Sequence, residues 1–351
     1  MKVVRLLAVR AVGCWMLGVS VVGFTLVPTT GASQEPEKER EARLIDAAKK
    51  DGALIFWNQS PAKESETMLA KFRNRYPFLR TEYWRAGSTA LFQKQITEGK
   101  AGVHNFDIGG TDLDYVEELK KAGLMKKYHW PSTGGWPASQ KDTEGYWVTR
   151  LRSLKVIAYN TQLVPPNQLP KRWENLLDPK WKGKIQIDKD SADWVLMLWS
   201  AWGKEKAISF LKQLSRNVVL SGNQSQRLEL LAAGAIPIDM AISLHRLVQY
   251  QDKGAPLEFA RTDPAVLEKS TPIFIAQHAP HPNAAILFAD WFTSLEGQQA
   301  YYDTTLSPVP DPRVKTRFAE PLKGLKVAVT PADIAVHSNE AEKIFRDIFW
   351  K

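Results

Sequence analysis

Two arginines, Arg150 and Arg152, stand two apart in the extended run Val148–Asn160. Strand spacing would put both side chains on one face, where two guanidinium forks could clamp a carboxylate, phosphate or phosphonate. Short polar loops supply a second kind of chemistry: Asn58-Gln59-Ser60, Gly87-Ser88-Thr89 and Gly110-Thr111. Small residues there let an anion approach backbone N–H groups at a helix start, and the hydroxyls add donors. Asp190, Ser191, Asn223, Ser225, Ser243 and His245 complete the candidate ligand-binding set from later in the chain. Each loop taken alone is equally a plain helix cap, and the arginines equally two solvent-facing side chains. Catalytic motifs are missing: there is no G-x-S-x-G, H-E-x-x-H, G-x-x-x-x-G-K or G-x-G-x-x-G. The six histidines are scattered, and only His278 and His281 lie close together, between prolines. Asp188 and Asp190 have no His or Cys nearby, so a capped turn is expected rather than a metal site. No cofactor is expected.

The elements that carry these residues read as alternating strands and helices. Strands at Ala53–Trp57, Leu79–Trp84 and Phe106–Ile108 each run into one of the polar loops and then a helix (Lys63–Arg75, Ala90–Glu98, Leu113–Lys121). Three such units in series predict a parallel sheet covered by helices. Ligands of open α/β sheets sit outside the carboxyl ends of the strands, so three serially equivalent loops imply one shared site. A connection rich in Trp, Pro and Gly, Lys127–Trp147, leads into Val148–Asn160. Its tryptophans, and Trp181, are expected to cover surfaces or line a cleft. Helix is expected over Trp194–Leu214 and from Gly222 to Ala233, and strand over Ile236–Ala241. The stretch Thr271–Asp303 reads as a strand (Pro272–Ala276), a proline elbow, a helix capped by Asn283, and a second helix opened by Thr293 and Glu296.

The wording of several stretches is more specific. Pro170-Lys171-Arg172-Trp173, Leu176-Leu177-Asp178-Pro179-Lys180-Trp181-Lys182-Gly183-Lys184-Ile185, Tyr159-Asn160-Thr161 and His281-Pro282-Asn283-Ala284-Ala285 with Trp291, Glu296, Gly297 and Gln298 resemble the extracellular solute-binding proteins of ABC importers. That group includes the periplasmic ferric-ion-binding proteins. The resemblance covers about Ala53 to Asp311. It implies a two-lobed type II periplasmic-binding fold, each lobe a mostly parallel sheet flanked by helices, with the ligand in the cleft between. It implies lobe one from 34–152 plus 272–305, lobe two from 153–271, and a C-terminal helical extension over 306–351. It implies no enzyme activity, hinge closure on a small solute, and delivery to an inner-membrane permease with a cytoplasmic ATPase. At one place the chain departs from the ferric-binding members. They carry a tyrosine pair after the strand that is Pro237–Ala241 here, and this chain has Ser243-Leu244-His245. Hard ferric iron needs anionic oxygen donors, so a small organic or phosphorus-containing anion becomes the leading ligand class. Ferric iron with an anion, an enzyme on the same fold, and a receptor serving a sensor protein are the alternatives.

Composition agrees with an exported binding protein. At 351 residues the chain has room for two lobes, and 44% hydrophobic with 24% charged content is globular. Lys2, Arg5 and Arg10, the uncharged run Ala11–Val27 and the small residues Thr29–Ser33 form a secretory signal over 1–32. An uncleaved anchor is the rival, and both place the body in the periplasm. Removing those three charges takes the net charge of +9 to +6. That surplus has no basic cluster interleaved with aromatics, so nucleic acid is not expected as a partner. Cys14, the single cysteine, lies in the signal, so the mature domain has no disulfide. A monomer is expected.

Overall fold

A computed structural model describes residues 37–189 and 193–350. The signal-peptide reading and the candidates Asp190 and Ser191 lie outside the described residues. One sheet organises everything else. Its strands are β1 Ala53–Asn58, β2 Arg80–Arg85, β3 Ile108–Gly110, β4 Val148–Asn160, β5 Ile185–Asp188, β6 Val218–Ser221, β7 Ile238–Ser243, β8 Leu257–Phe259, β9 Val266–Ile275 and β10 Val327–Thr330. Their spatial order is β2-β1-β3-β9-β4-β7-β5-β6, with β10 on β9 and β8 on β4. β1 pairs in parallel with both β2 and β3, as the three strand–loop–helix units require.

The long strands β4 and β9 are antiparallel from Val148–Lys155 against Ile273–Leu267. One end of β9 continues to β3 and the other carries β10, while the far half of β4 takes β7 and β8. The pair is therefore common to both halves of a two-lobed α/β molecule. β9 begins six residues before the strand expected from Pro272, because Glu268-Lys269-Ser270-Thr271 is buried strand despite its polarity.

Helices α1 (Glu37–Asp51), α2 (Ala62–Arg75), α7 (Gln224–Ala232), α8 (Leu244–Gln251), α9 (Pro282–Thr293) and α10 (Leu295–Thr305) cover one face. Their apolar stripes share a single core, from Leu44, Phe72 and Phe288 to Leu231, Leu247 and Phe259. The other face is different. There α3 (Ser88–Lys100) and α4 (Val116–Lys121) cover one core around Trp57, Leu91 and Leu113. A separate core around Trp173, Trp194 and Phe210 lies under α5 (Asp193–Trp202) and α6 (Lys204–Leu214). Gly203, with φ of 85°, divides the helix expected over Trp194–Leu214 into these two. The C-terminal segment is not purely helical: after α11 (Ala319–Leu322) come β10, α12 (Ala332–Ala335) and α13 (Ser338–Phe349). Trp130, Trp136, Trp173, Trp181 and Trp194 are all buried in cores rather than lining a cleft.

The caps around α9 and α10 differ from expectation in register. Asp51, at the end of α1, accepts from the N–H groups of Asn283 (2.7 Å) and Ala284 (2.9 Å), so Asn283 is itself capped. Ser294, not Thr293, opens α10 by accepting from Gly297 N–H at 3.1 Å. His281 serves the elbow: Asp107, wholly buried, accepts from Ile55 N–H (2.7 Å) and His281 N–H (2.6 Å) and meets its Nδ1 at 2.9 Å. Asp107→Ala would leave two half-buried N–H donors without their partner and is expected to cost roughly 1–3 kcal/mol. Urea unfolding of the purified protein measures this; a loss under 1 kcal/mol would show the elbow is held by packing alone.

Candidate functional site

A cavity of about 210 Å³ opens on the face where the two cores are separate. Its walls come from the start of α3 (Ser88, Thr89), the turn after β3 (Asp112, Asp114, Tyr115), the β4–β9 ribbon (Ser153, Lys269, Thr271), the start of α5 (Asp193, Leu196) and α13 (Ser338, Glu342). This is the edge where β2, β3 and β5 end, and of the predicted loop residues Ser88 and Thr89 lie in its lining. The register explains the ribbon's part. Ser153 pairs with Lys269, and Thr271 stands two residues further along β9, so these three side chains line the cavity from the ribbon.

Lys269 is the central cation. Its ammonium, 5% exposed as a residue, lies 3.1 and 3.4 Å from the Asp114 carboxylate. Asp114, Asp112 and Asp193 hold it protonated well above the usual lysine range, against the opposing effect of burial. Burial pushes the Asp114 carboxyl up, with Lys269 pulling the other way. Asp193 faces Lys155 at 3.3 Å. Thr89 Oγ1 and the Tyr115 hydroxyl are 3.1 Å apart, and the Tyr115 ring stacks on Phe92 at 4.3 Å. The lining is thus rich in acceptors and hydroxyls, with one buried cation.

Arg150 and Arg152 do not form a joint clamp. The β4–β9 register shifts between Thr149 and Leu151, a bulge at Arg150 that breaks the alternation. Arg152 is spent on Glu268, with Nε and Nη2 at 2.7 and 2.6 Å from its two oxygens, and Gln140 donates to the same carboxylate at 2.7 Å. Arg150, 2% exposed, donates to Ser60 Oγ, to the Tyr301 hydroxyl (2.8 Å) and to Gln59 Oε1 (3.3 Å). All three are uncharged groups. Glu64, whose charge also acts on Tyr301, is engaged by Arg246 at 3.1 Å. Gln59 passes the connection on, donating to Asp112 at 3.3 Å on the cavity rim.

The remaining candidates mostly build the edge. Asn58 is buried and accepts from Ser60 N–H (2.7 Å) and Ser65 Oγ (3.1 Å). Gly110 lets Gln59 approach, since a Cβ there would meet Gln59 Oε1 at 2.8 Å and Asn58 Cα at 3.2 Å. Thr111 is buried with its hydroxyl towards Asp112 O at 3.4 Å, and Gly87 precedes α3 as its cap. Asn223 accepts from Ser225 N–H (3.1 Å) and Gln226 N–H (3.2 Å), so with Ser225 it makes a cap outside the cavity lining. Ser243, buried, donates its N–H to Gln224 at 2.9 Å. His245 has Nδ1 shut off from solvent without a partner. Burial, then Arg246 and Lys155, push its pKa down to about 3. Among the described residues no group of three or more His, Cys, Asp or Glu is arranged to hold a metal ion.

Asp112, Asp114, Ser153, Asp193, Lys269 and Thr271 were not singled out from the sequence. The Gly110-Thr111 loop stopped one residue short of Asp112 and three short of Asp114. Lys269 carried no signal, because a lysine beside a glutamate reads as surface.

Two halves, a shared ribbon and a polar cavity between them define a two-lobed binding protein. The family model described as bacterial extracellular solute-binding protein matches residues 107–327. This chain belongs to that family. An uncharacterized protein of Haemophilus influenzae is 27% identical over 268 residues, 72% of this chain and 76% of its own. A solved Trichodesmium structure, IdiA (FutA) in complex with iron and citrate, has a TM-score of 0.71 at 19% identity, covering 86% of this chain and 100% of its own. AfuA from Actinobacillus pleuropneumoniae, with fructose-6-phosphate bound, has a TM-score of 0.71 at 22% identity, covering 85% and 99%.

The neutral, depressed His245 gives a pH prediction. Unfolding lets this imidazole return to its ordinary pKa, so the unfolded state binds the extra proton between about 3 and 6.5. Its contribution to stability therefore rises with pH through that window and is flat above it. Unfolding curves from pH 4.5 to 7 should steepen less with pH in His245→Leu than in the parent; equal slopes would mean the ring is solvated.

Proposed function

We propose that this chain is the periplasmic solute-binding component of an ABC importer, taking up a small solute that bears a carboxylate, phosphate or phosphonate and handing it to a membrane permease. The observation that carries the solute class is Arg150, a buried guanidinium whose bonded partners are all uncharged. A buried charge without a counter-charge is costly, and an anion closing on the Ser60–Gln59 end would supply it. The acceptor-rich wall of Asp112, Asp193 and the neighbouring hydroxyls suits hydroxyl groups on the rest of such a solute. The fructose-6-phosphate carried by one structural relative has both parts. The lobes are assigned as 34–152 with 272–305 and 153–271, hinged on β4 and β9. The extracellular family supports the periplasmic setting. Delivery to a permease rather than to a sensor is preferred because a relative in Sinorhizobium fredii is named a probable ABC transporter periplasmic-binding protein.

Ferric iron is the second reading, favoured by the iron-bound relatives. The residues at the end of β7 and just after it oppose it: Ser243, Leu244 and a neutral His245 stand where anionic oxygen donors would be needed.

Native mass spectrometry of freshly purified protein, with metal analysis of the same sample, separates the two. An organic anion is expected and iron is not; stoichiometric iron would reverse the order. With fructose 6-phosphate, inorganic phosphate and citrate as titrants, at least one is expected to bind. Arg150→Met should weaken that binding by about 10–150-fold, one charge-assisted hydrogen bond's worth. Arg152→Met should instead lower stability while leaving affinity within about two-fold, since its cost is an unpaired Glu268. Undiminished affinity in Arg150→Met would remove the anion assignment.

A further inference from the structure

The four residues of α12 lie where the two separate cores face each other. Ala335, fully buried, and Ala332 pack into the lobe-one core with Leu113, Val116 and Leu119. Ile334, between them in sequence, packs into the lobe-two core with Trp194 and Phe345. A single short helix thus has one side in each core. Its two flanks are fixed to lobe two. Before it, β10 pairs with the Val266–Lys269 end of β9. After it, α13 lays Phe345 and Phe349 on Trp194, stacks His337 on Trp199 at 5.4 Å, and joins Glu340 to Lys204 at 2.5 Å. Trp350, at the end, donates to Lys189 O at 3.0 Å.

We propose that residues 331–342 form a strap that crosses the cleft and fastens the closed state. The segment rides on lobe two and closes by seating Ala335 in the apolar socket beside the Leu113–Tyr115 turn of lobe one. That turn carries Asp114 and Tyr115 of the cavity wall, and the strap itself brings Ser338 and Glu342 to the same cavity. A solute in the cavity therefore touches both sides of the fastening. Whatever holds the strap down completes the site, and whatever fills the site holds the strap down. The strap residues lie beyond the 107–327 match to the family model. The inference rests on the hinged two-lobe reading above.

Pulsed electron spin resonance tests it. Nitroxides are placed on Lys121→Cys and Lys212→Cys, exposed positions on α4 and α6, in full-length protein with Cys14 replaced by serine. Ala335→Asp puts a charge into the socket and is expected to add a longer, broader interlobe distance population. Val336→Asp, at a side chain 45% exposed, is expected to leave the parent distribution unchanged. Asp114→Asn removes the Lys269 ion pair across the cavity and reports whether the halves move at all. Movement in Asp114→Asn with none in Ala335→Asp overturns the strap alone. No movement in either overturns the strap together with the hinge. Should Ala335→Asp fail to fold, Ala335→Ser places one hydroxyl in the same contact, and an unchanged distribution there counts equally against the strap.

Discussion

The β4–β9 ribbon is the constraint on which the rest of this molecule depends. Two strands shared by both halves must be buried on both faces, yet they carry Arg152, Glu268, Lys269 and Ser270. Each charge at such depth has to find a partner or cost several kcal/mol. The partners found are the architecture: Arg152 with Glu268 and Gln140 on one face, Lys269 with Asp114 on the other. These bonds pull the 138–140 segment and the turn after β3 onto the ribbon, which fixes the floor and one wall of the cavity. Arg150 escapes this pairing because the bulge takes it out of the ladder.

The same bookkeeping bears on what the cavity accepts. Asp112, Asp114, Asp193 and Glu342 line it, against Lys269, with Lys155 just behind Asp193. Its potential is therefore negative at the hydroxyl-lined wall, and Arg150, with Ser60 and Gln59, stands outside that lining, linked to it through Gln59 and Asp112. In the proposed reading an anionic group sits towards Arg150 and hydrogen-bond donors against the carboxylates. A simple anion with no donors would meet carboxylates it cannot satisfy, and like charges facing across a desolvated gap disfavour binding. In that reading orientation comes from two regions of opposite sign rather than from a paired clamp.

The parallel units of lobe one were legible because apolar strand, polar loop and amphipathic helix repeat three times, and local period carries that information. The polar loops fall at the strand ends for the same reason: a strand's carboxyl end needs caps wherever a helix begins. What stayed hidden depends on partners distant in sequence. Asp51 caps α9 from 232 residues away, and Asp107 holds His281 from 174 away, so neither cap could be placed by spacing. The burial of Glu268 and Lys269 was illegible because each is apolar in effect only once paired. Arg150 and Arg152 show the limit most plainly. Alternation predicts a shared face, and one bulged residue, with no local sequence signal, separates their roles.

The distribution of cores sets how such a molecule can move. On one face a single apolar cluster runs from α1 and α9 through to α8, so separating the halves there would expose a continuous core. Exposing even 200 Å² of it would cost about 5 kcal/mol. On the other face the two cores are already distinct, with a polar cavity between them and the side chains of α12 packing into both. The cheap displacement is therefore a rotation about the ribbon that parts the cavity face and leaves the shared core packed. The resistance to that rotation is concentrated in a few contacts: Lys269 with Asp114, the solute, and Ala335 in its socket. An equilibrium held by so few contacts can be shifted by a small ligand, because its differential binding energy is comparable with what holds the closed form.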